Sequence, residues 1–276
     1  MPSIDWNQSV WGRTYPWPTQ GEEWSTVWGG SETQWFATIL PRIRRFLPGK
    51  LLLEIAPGYG RWTAYLLPLC DKYVGVDIAE PCVSACKQRF STAENASFFA
   101  NDGKSLSMVA DRSVDFVFSF DSLVHVEAEV IDAYMVELSR ILAPDGIGFI
   151  HHSNLGAHLT SLRVARLLEM AAGPMPLARR ALTKLRIISW DHNRAKSMTA
   201  ERFALACSKA GLVCAGQELI DWGHIGRKVI DCLSLVARPE SRWARPNVTV
   251  SNPNFMDEAF SAQRVASVYT SLAAHR

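Results

Sequence analysis

The sequence predicts an α/β fold built on a doubly wound sheet of seven strands. Five short apolar runs alternate strictly with helical segments between residues 51 and 151, a pattern that indicates parallel strands joined by helices. Two further apolar runs, LVCAGQELIDW and KVIDCLSLVAR, are expected to supply the last two strands as an antiparallel pair. With 276 residues, the chain is long enough to bury a substantial core.

The elements of this core follow from the spacing of the apolar residues and of the residues that form turns. Strands are predicted at 51–55, 73–77, 97–100, 114–120 and 146–151. Helices are predicted at 31–46, 61–69, 80–90, 127–142, 155–172, 197–210 and 257–274. Pro144, Asp145 and Gly146 stop the helix at 127–142, and Asn254 or Asp257 lies near the start of the last helix.

The chain divides into three predicted parts. These are an aromatic-rich arm at 1–48, a core at 49–238 with a cap insertion at about 155–196, and a tail helix within 239–276. Seven of the ten tryptophans lie within the first 62 residues, a bias that a simple core would not require. Pro16 and Pro18 are expected to keep the first part of the arm irregular. We expect the arm to cover a binding site as a lid.

The composition argues against several classes of protein. Basic residues number 29 and acidic residues 27, so the formal net charge of +2 gives no electrostatic reason to expect a nucleic-acid partner. Six cysteines without CxxC pairs or a signal peptide are typical of reduced thiols in a cytoplasmic protein. No apolar run approaches the roughly 20 residues that span a bilayer, so we expect no membrane partner. The sequence leaves the oligomeric state open.

The most informative stretch joins the first two predicted strands. Glu54 ends the first strand, Gly58 and Gly60 occupy the following turn, and Asp77 ends the second strand. An acid after the second strand can accept hydrogen bonds from two ribose hydroxyls, and the glycines let the backbone approach a ligand. A dinucleotide-binding turn would carry a third glycine, and Glu54 disfavours a pyrophosphate. The other alternative is a turn that is tightly packed for structure alone.

This arrangement resembles the class I S-adenosylmethionine (SAM) methyltransferases, whose first motif is an acid followed by a glycine-rich turn. Ala56 stands where that family often has its first glycine, and Pro57 stiffens the turn. The resemblance implies a Rossmann-like fold that binds SAM. The residues that it implies in cofactor binding are Glu54, Ala56, Gly58, Gly60, Asp77, Ile78, Asp102 and Gly103.

The adenine end of the cofactor is expected after the third strand. Asn101, Asp102 and Gly103 lie where the resembled family holds the adenine. A carboxylate there can accept a hydrogen bond from the exocyclic amine, and the glycine leaves room for the ring. The alternative is an ordinary Asn-Asp-Gly turn.

The methyl acceptor is expected at the end of the fourth strand, where VDFVFSF leads into Asp121 and His125. Methyl transfer needs an aligned acceptor and, for an alcohol, a group that takes its proton. His125 is one candidate base, assisted by Asp121; the alternative is a polar residue that caps the next helix. The absence of an Asn-Pro-Pro-Tyr motif argues against methylation of an adenine or glutamine amino group.

His151 and His152 end the fifth strand, beside Asp121. Metal-dependent O-methyltransferases resemble this layout, which implies a divalent metal at Asp121, His151 and His152. Mg²⁺ prefers oxygen ligands and imidazole suits a transition metal, so either kind of ion is considered. Successive strand residues point to opposite faces, so His152 is alternatively the general base. Asp191 and His192 in the cap are further candidate ligands.

A tryptophan-rich arm above histidines and acids suits a sugar, whose C–H faces pack on aromatic rings. The segments WGGSETQWF, LEIAPGYGRWT, FSFDSLVHVE and HHSN also resemble bacterial sugar O-methyltransferases, including those of mycobacterial methylmannose polysaccharide synthesis. This implies a saccharide acceptor such as a short methylated mannoside. The alternatives are a phenolic or polyketide acceptor and a non-catalytic SAM-binding regulator.

Overall fold

The computed structural model describes residues 2–173, 175, 193–222 and 228–273. These residues form a mixed sheet of eight strands in the order β3-β2-β1-β4-β5-β7-β6-β8. The strands are β1 (Gly49–Ile55), β2 (Cys70–Asp77), β3 (Ala96–Ala100), β4 (Val114–Ser119), β5 (Leu142–Ser153), β6 (Val213–Ile220), β7 (Asp231–Ala237) and β8 (Thr249–Asn252).

The directions of the strands confirm the predicted core. Strands β1 to β5 are parallel, and β7 runs antiparallel to both β5 and β6. The predicted number of seven strands is wrong, because residues 249–252 add an edge strand parallel to β6. This strand is short and mostly exposed, and only one of its four residues, Val250, is apolar, so the sequence gives little signal for it. Hydrogen bonds from the side chains of Asn247 to Gln217 and of Asn252 to Glu218 help to hold it against β6.

The described helices connect and cover these strands. They are α1 (Ile4–Ser9), α2 (Ser31–Gln34), α3 (Leu40–Ile43), α4 (Thr63–Leu66), α5 (Glu80–Arg89), α6 (Ala128–Ile141), α7 (Leu159–Ala172), α8 (Ala200–Lys209) and α9 (Phe255–Ala273). A π-helical turn at Trp35–Ile39 joins α2 to α3, and a 3-10 turn at Arg44–Phe46 follows α3. The predicted helix at 31–46 is therefore one helical run with changes of pitch.

The first part of the arm is helical, which corrects the prediction that it is irregular. Helix α1 continues into a π-helical turn at Val10–Thr14. The hydroxyl of Ser3 caps α1 by accepting a hydrogen bond from the backbone N–H of Trp6 at 3.1 Å. Pro16 and Pro18 lie beyond this helical segment and do not interrupt it.

The sheet carries an apolar layer on each face, since neighbouring residues of a strand point to opposite sides. Leu52 packs in the cluster that contains Trp35 of the arm. Leu53 packs in the cluster that contains Ile131 of α6 and Phe203 of α8. The arm thus forms part of the core on one face, and no helix within the described ranges is long and apolar enough to cross a membrane.

Arg42 joins three parts of this fold. Its Nε donates to Glu218 of β6 at 2.7 Å, and one terminal nitrogen donates to Glu258 of α9 at 2.7 Å. Another terminal nitrogen donates to the carbonyl oxygen of Thr38 at 2.6 Å. The Arg42 side chain is only 19% exposed, so water screens these ion pairs weakly.

We expect Arg42→Ala to lower the free energy of unfolding by about 2 kcal/mol, because two half-buried carboxylates lose their shared counter-charge. Urea denaturation at pH 7 measures this change. The control is Arg112→Ala, which removes a pair with Glu240 whose arginine side chain is 54% exposed. That substitution should cost less than about 0.5 kcal/mol. Equal losses from the two variants would contradict a structural role for the Arg42 network.

Candidate active site

A pocket of about 1060 Å³ lies at the carboxyl ends of the parallel strands. Ala56 follows β1, Asp77 ends β2 and Asp121 closely follows β4, and all three line the pocket. Ligands of doubly wound sheets bind at this edge. The pocket is also lined by six tryptophans: Trp11, Trp17, Trp24, Trp28, Trp62 and Trp222.

The turn after β1 is held by the carboxylate of Asp77. The backbone N–H of Gly58 donates to Asp77 Oδ2 at 3.0 Å, and that of Ala79 donates to Oδ1 at 2.9 Å. Gly58 and Ala56 both have positive φ, at 58° and 59°. Burial raises the pKa of Asp77 to about 6, although its backbone hydrogen bonds act in the opposite direction.

Glu54 and Gly60 do not line the pocket formed by the described residues, contrary to expectation. Glu54 Oε2 accepts hydrogen bonds from Thr63 Oγ1 at 2.7 Å and from the hydroxyl of Tyr73. Burial raises the pKa of Glu54 to about 7. Gly60 has a φ of 82° and packs against α5, where a Cβ atom would lie 2.4 Å from the ring of Phe90. Both residues therefore stabilise the glycine turn without lining the pocket.

At the predicted adenine end, only some of the expected residues face the pocket. Ile78 and Gly103 line the pocket as expected. Asp102 is exposed, and its Oδ1 accepts hydrogen bonds from the backbone N–H groups of Lys104 at 2.9 Å and Ser105 at 2.7 Å. Its carboxylate closes its own turn instead of facing the pocket. Tyr134 of α6 lines the wall here; sequence reasoning missed it because its position reads as part of an apolar helix stripe.

Asp121 has a φ of 63°, which is strained for a residue with a side chain. Arg61 donates to its Oδ2 at 3.0 Å, and the backbone N–H of Asp121 donates to His151 Nδ1 at 3.0 Å. The proton of the His151 ring therefore resides on Nε2, which lies 3.4 Å from Asp231 Oδ2. Arg194 pairs with the same oxygen at 2.9 Å.

These contacts form a buried charged network beside the pocket. Burial acts to raise the pKa of Asp231, but the charge of Arg194 and the nearby ring of His151 outweigh it and hold the pKa below its ordinary value. Arg61 and Arg194 both line the pocket. Neither arginine was predicted as a site residue from the sequence. Arg61 directly follows the glycine turn, and this position was a signal that could have identified it.

His152 lies on the opposite face of the sheet. Its ring stacks on Phe203 with 4.0 Å between centroids, and its Nε2 lies 2.8 Å from the hydroxyl of Ser234. Strand β5 continues to Ser153, so His151 and His152 point in opposite directions. The prediction of His152 as a base or metal ligand is therefore corrected.

The donors do not fit the predicted metal site. The carboxylate of Asp121 is paired with Arg61, and His151 uses Nδ1 to accept a backbone N–H. Among the residues that the structure describes, no group of three or more His, Cys, Asp or Glu side chains is placed to hold an ion. Asp191 and His192 lie outside the described residues.

His125 lines the pocket and is buried. Its Nδ1 lies 3.1 Å from the carbonyl oxygen of Asn193. Because a carbonyl only accepts, Nδ1 carries the proton and Nε2 is the unprotonated nitrogen. Burial lowers the pKa of His125 to about 4, and the charge of Arg194 acts in the same direction. The ring is therefore neutral near pH 7.

The arm supplies much of the remaining wall. The ring of Trp17 stacks on Tyr59 of the glycine turn at 4.6 Å between centroids, and its Nε1 donates to the carbonyl oxygen of Trp11 at 3.0 Å. Arg61 also donates to the hydroxyl of Ser25 in the arm at 3.0 Å. The predicted cap is described only in part, by the turn that precedes α7 and by α7 itself, followed by residues 193–196.

Comparison with known proteins agrees with this architecture. The family model for a methyltransferase domain matches residues 52–146. The crystal structure of the PH0226 protein from Pyrococcus horikoshii aligns with a TM-score of 0.53 and 19% identity, over 83% of this chain and 98% of that one. PKMT2 from Rickettsia typhi aligns with a TM-score of 0.50 and 14% identity, over 70% of this chain and 50% of that one. No curated protein matches the sequence.

At these identities the solved structures show a shared fold alone. The family match is more specific, because its span contains the glycine turn, the acid that ends β2 and the strained Asp121. Residues 52–146 are therefore similar to a methyltransferase domain, and the solved structures share the fold of the chain.

Proposed function

We propose that this chain transfers the methyl group of SAM to a hydroxyl of a saccharide. The observation that carries the proposal is the composition of one pocket. The glycine turn and Asp77 share it with a wall of indole rings and with a small set of polar side chains near His125. Apolar rings with a few convergent polar groups are typical of sites that orient a small ring-shaped ligand.

The residues at the turn fit SAM. Asp77 is buried and uses one hydrogen bond on each oxygen, which leaves lone pairs for the ribose hydroxyls. Gly58 presents its backbone to the pocket without a Cβ atom. Ile78 and Gly103 would contact the adenine, and Tyr134 would extend that wall.

The other part of the pocket supports an acceptor with hydroxyl groups. Trp24, which is 38% exposed, offers a ring surface on which the C–H face of a sugar can pack, and the buried rings of Trp28 and Trp222 form the wall behind it. Asp121 Oδ2 is paired with Arg61, whereas its Oδ1 accepts no hydrogen bond from the described part of the chain. The pair therefore offers an acceptor oxygen and charged N–H donors to neighbouring hydroxyls.

His125 would act as the general base in this reaction. SAM, when bound, would supply the methyl group to the acceptor oxygen, and its sulfonium sulfur would keep the electron pair of the broken bond. The proton of the acceptor hydroxyl moves to Nε2 of His125, which is unprotonated because Nδ1 donates to Asn193. No metal takes part in this scheme.

A phenolic or polyketide acceptor is the second candidate. It is favoured by the number of aromatic rings on the wall, since Phe120 joins the six tryptophans there. A flat aromatic acceptor would stack on such a wall and would place its hydroxyl near His125. It would make less use of the charged Arg61–Asp121 pair than a sugar does.

The two acceptor classes are separated by transfer of labelled methyl from SAM to a panel of mono- and oligosaccharides and a panel of phenols. We expect label on at least one saccharide, with equal rates in the presence and absence of a chelator. Label on phenols alone would transfer the assignment to the second candidate. Loss of activity with chelator, restored by Mg²⁺ or a transition metal, would contradict the metal-free scheme.

We expect the affinity for SAM to fall as the pH is lowered from 7 to 5. The pKa of Asp77 is raised to about 6, so its carboxylate becomes protonated in this range and accepts hydroxyl hydrogen bonds less well. Asp77→Asn should weaken SAM binding at pH 7 by about tenfold or more and abolish the pH dependence. Isothermal titration calorimetry at several pH values measures both effects.

The control for this experiment is Glu54→Gln. Glu54 titrates in the same range, with a pKa raised to about 7 by burial. Since Glu54 lies behind the pocket wall, the variant should keep the dependence on pH. If the dependence disappears in Glu54→Gln and persists in Asp77→Asn, the assignment of Asp77 is wrong.

His125→Gln should lower kcat by about 100-fold or more while the affinity for SAM stays within about twofold, because only proton transfer is removed. Single-turnover kinetics with the identified acceptor, together with calorimetry for SAM, provide the measurement. The matched control is His158→Gln, since His158 bonds to the carbonyl oxygen of Val229 outside the pocket. A loss of SAM binding in His125→Gln would refute the role of base.

A further inference from the structure

Asn7 is a polar residue of helix α1 that is only 6% exposed. Its Nδ2 donates to the carbonyl oxygen of His125 at 2.8 Å and to that of Ser3 at 3.0 Å. Its Oδ1 accepts a hydrogen bond from Trp11 Nε1 at 3.0 Å. A buried asparagine is costly unless its groups are bonded, and here both ends of the amide are used.

The bond to His125 joins two segments that are 118 positions apart in the chain. The helix itself does not explain an asparagine at this position, because asparagine is a weak helix former and the N-cap of α1 is already supplied by the Ser3 hydroxyl. The side chain of Asn7 therefore has a role outside the arm. It reaches the turn that carries the candidate base.

That turn, at Leu123–His125, is held from two sides. The backbone N–H of Ala195 donates to the carbonyl oxygen of Val124 at 2.9 Å, and Nδ1 of His125 bonds to Asn193 at 3.1 Å. Asn7 holds the adjacent carbonyl, that of His125 itself, from the arm. The segment at 193–195 and the arm thus fix the backbone and the ring of His125 together.

Two rings of the arm complete this environment. The ring centroid of Trp11 lies 5.4 Å from that of His125, and the centroid of Trp6 lies 6.5 Å away. Asn7 lies between these two tryptophans in the sequence and bonds to the indole of one of them. A change at Asn7 would therefore alter the backbone of His125 and the packing on its ring at the same time.

We propose that Asn7 is a positioning residue, which the arm contributes to the reaction by orienting His125 toward the acceptor. The inference rests on the proposed function, in which His125 takes the proton of the acceptor. Asn7 acts through His125 and not on the reacting atoms. The arm is then a part of the catalytic geometry as well as a wall of the pocket.

The test uses the full chain with Asn7→Ala and Asn7→Asp. The aspartate keeps the size of the residue and an oxygen for Trp11 but removes the donor to the His125 carbonyl. Long-range ¹H–¹⁵N spectra of the imidazole rings report the tautomer and the titration of His125, assigned by its absence in His125→Gln. Asn95→Ala is the control, because the Asn95 side chain bonds to the carbonyl oxygen of Cys70, outside the pocket.

We expect the His125 signals of both Asn7 variants to lose the single Nδ1-protonated pattern. The pKa of His125 should also rise toward its ordinary value as the ring becomes less buried, while Arg194, Asp121 and Asp231 continue to act on it. With the acceptor, kcat should fall by about 10- to 100-fold at unchanged SAM affinity. Asn95→Ala should change none of these quantities.

Two results would overturn the inference. One is an unchanged His125 spectrum in both Asn7 variants, which would show that the ring does not depend on this bond. The other is a parallel loss of thermal stability and SAM affinity in both variants, which would make Asn7 a residue of the fold. Failure of the proposed function is separate, since it would show as no methyl transfer by the unmodified protein to any hydroxyl acceptor, whatever the spectra give.

Discussion

The hydrogen bonds accepted by the carboxylate of Asp77 are the interaction on which the rest of the pocket depends. They connect the turn after β1 to the end of β2 and to the start of α5. A carboxylate buried at this depth is stable only when its oxygens are bonded, so burial and turn geometry reinforce each other. The backbone of Gly58 is thereby fixed before any ligand binds. Such preorganisation reduces the cost of ordering the site during binding.

The arm contacts both this fixed turn and His125, the candidate base. Trp17 stacks on Tyr59, while Trp11 packs near His125 and bonds to Asn7. Behind these rings, the arm is anchored to the core, where Trp35 is buried in the apolar cluster of one sheet face. The walls of the pocket and the hydrophobic core therefore share structural elements. Interactions that stabilise the fold also shape the site.

The fold could be predicted from the sequence because its signals are local. Apolar runs and turn residues determined the five parallel strands and the glycine turn. The directions of individual side chains could not be predicted in the same way. Glu54 is turned toward Tyr73, Asp102 toward its own loop, and His152 toward α8 because β5 extends past it. Arg61 and Asn7 were missed since their partners lie far away in the chain, where only packing brings them together.

The tryptophans of the pocket also give it an optical property. The ring centroid of Trp11 lies 5.9 Å from that of Trp24 and 6.1 Å from that of Trp17, and Trp28 lies 4.8 Å from Trp222. Indole rings at these separations couple their electronic transitions and pass excitation energy to one another. The pairing of Trp28 with Trp222 spans the arm and the core. A change in the packing of the arm against the core should therefore change the near-ultraviolet circular dichroism and the fluorescence of the protein, without any added label.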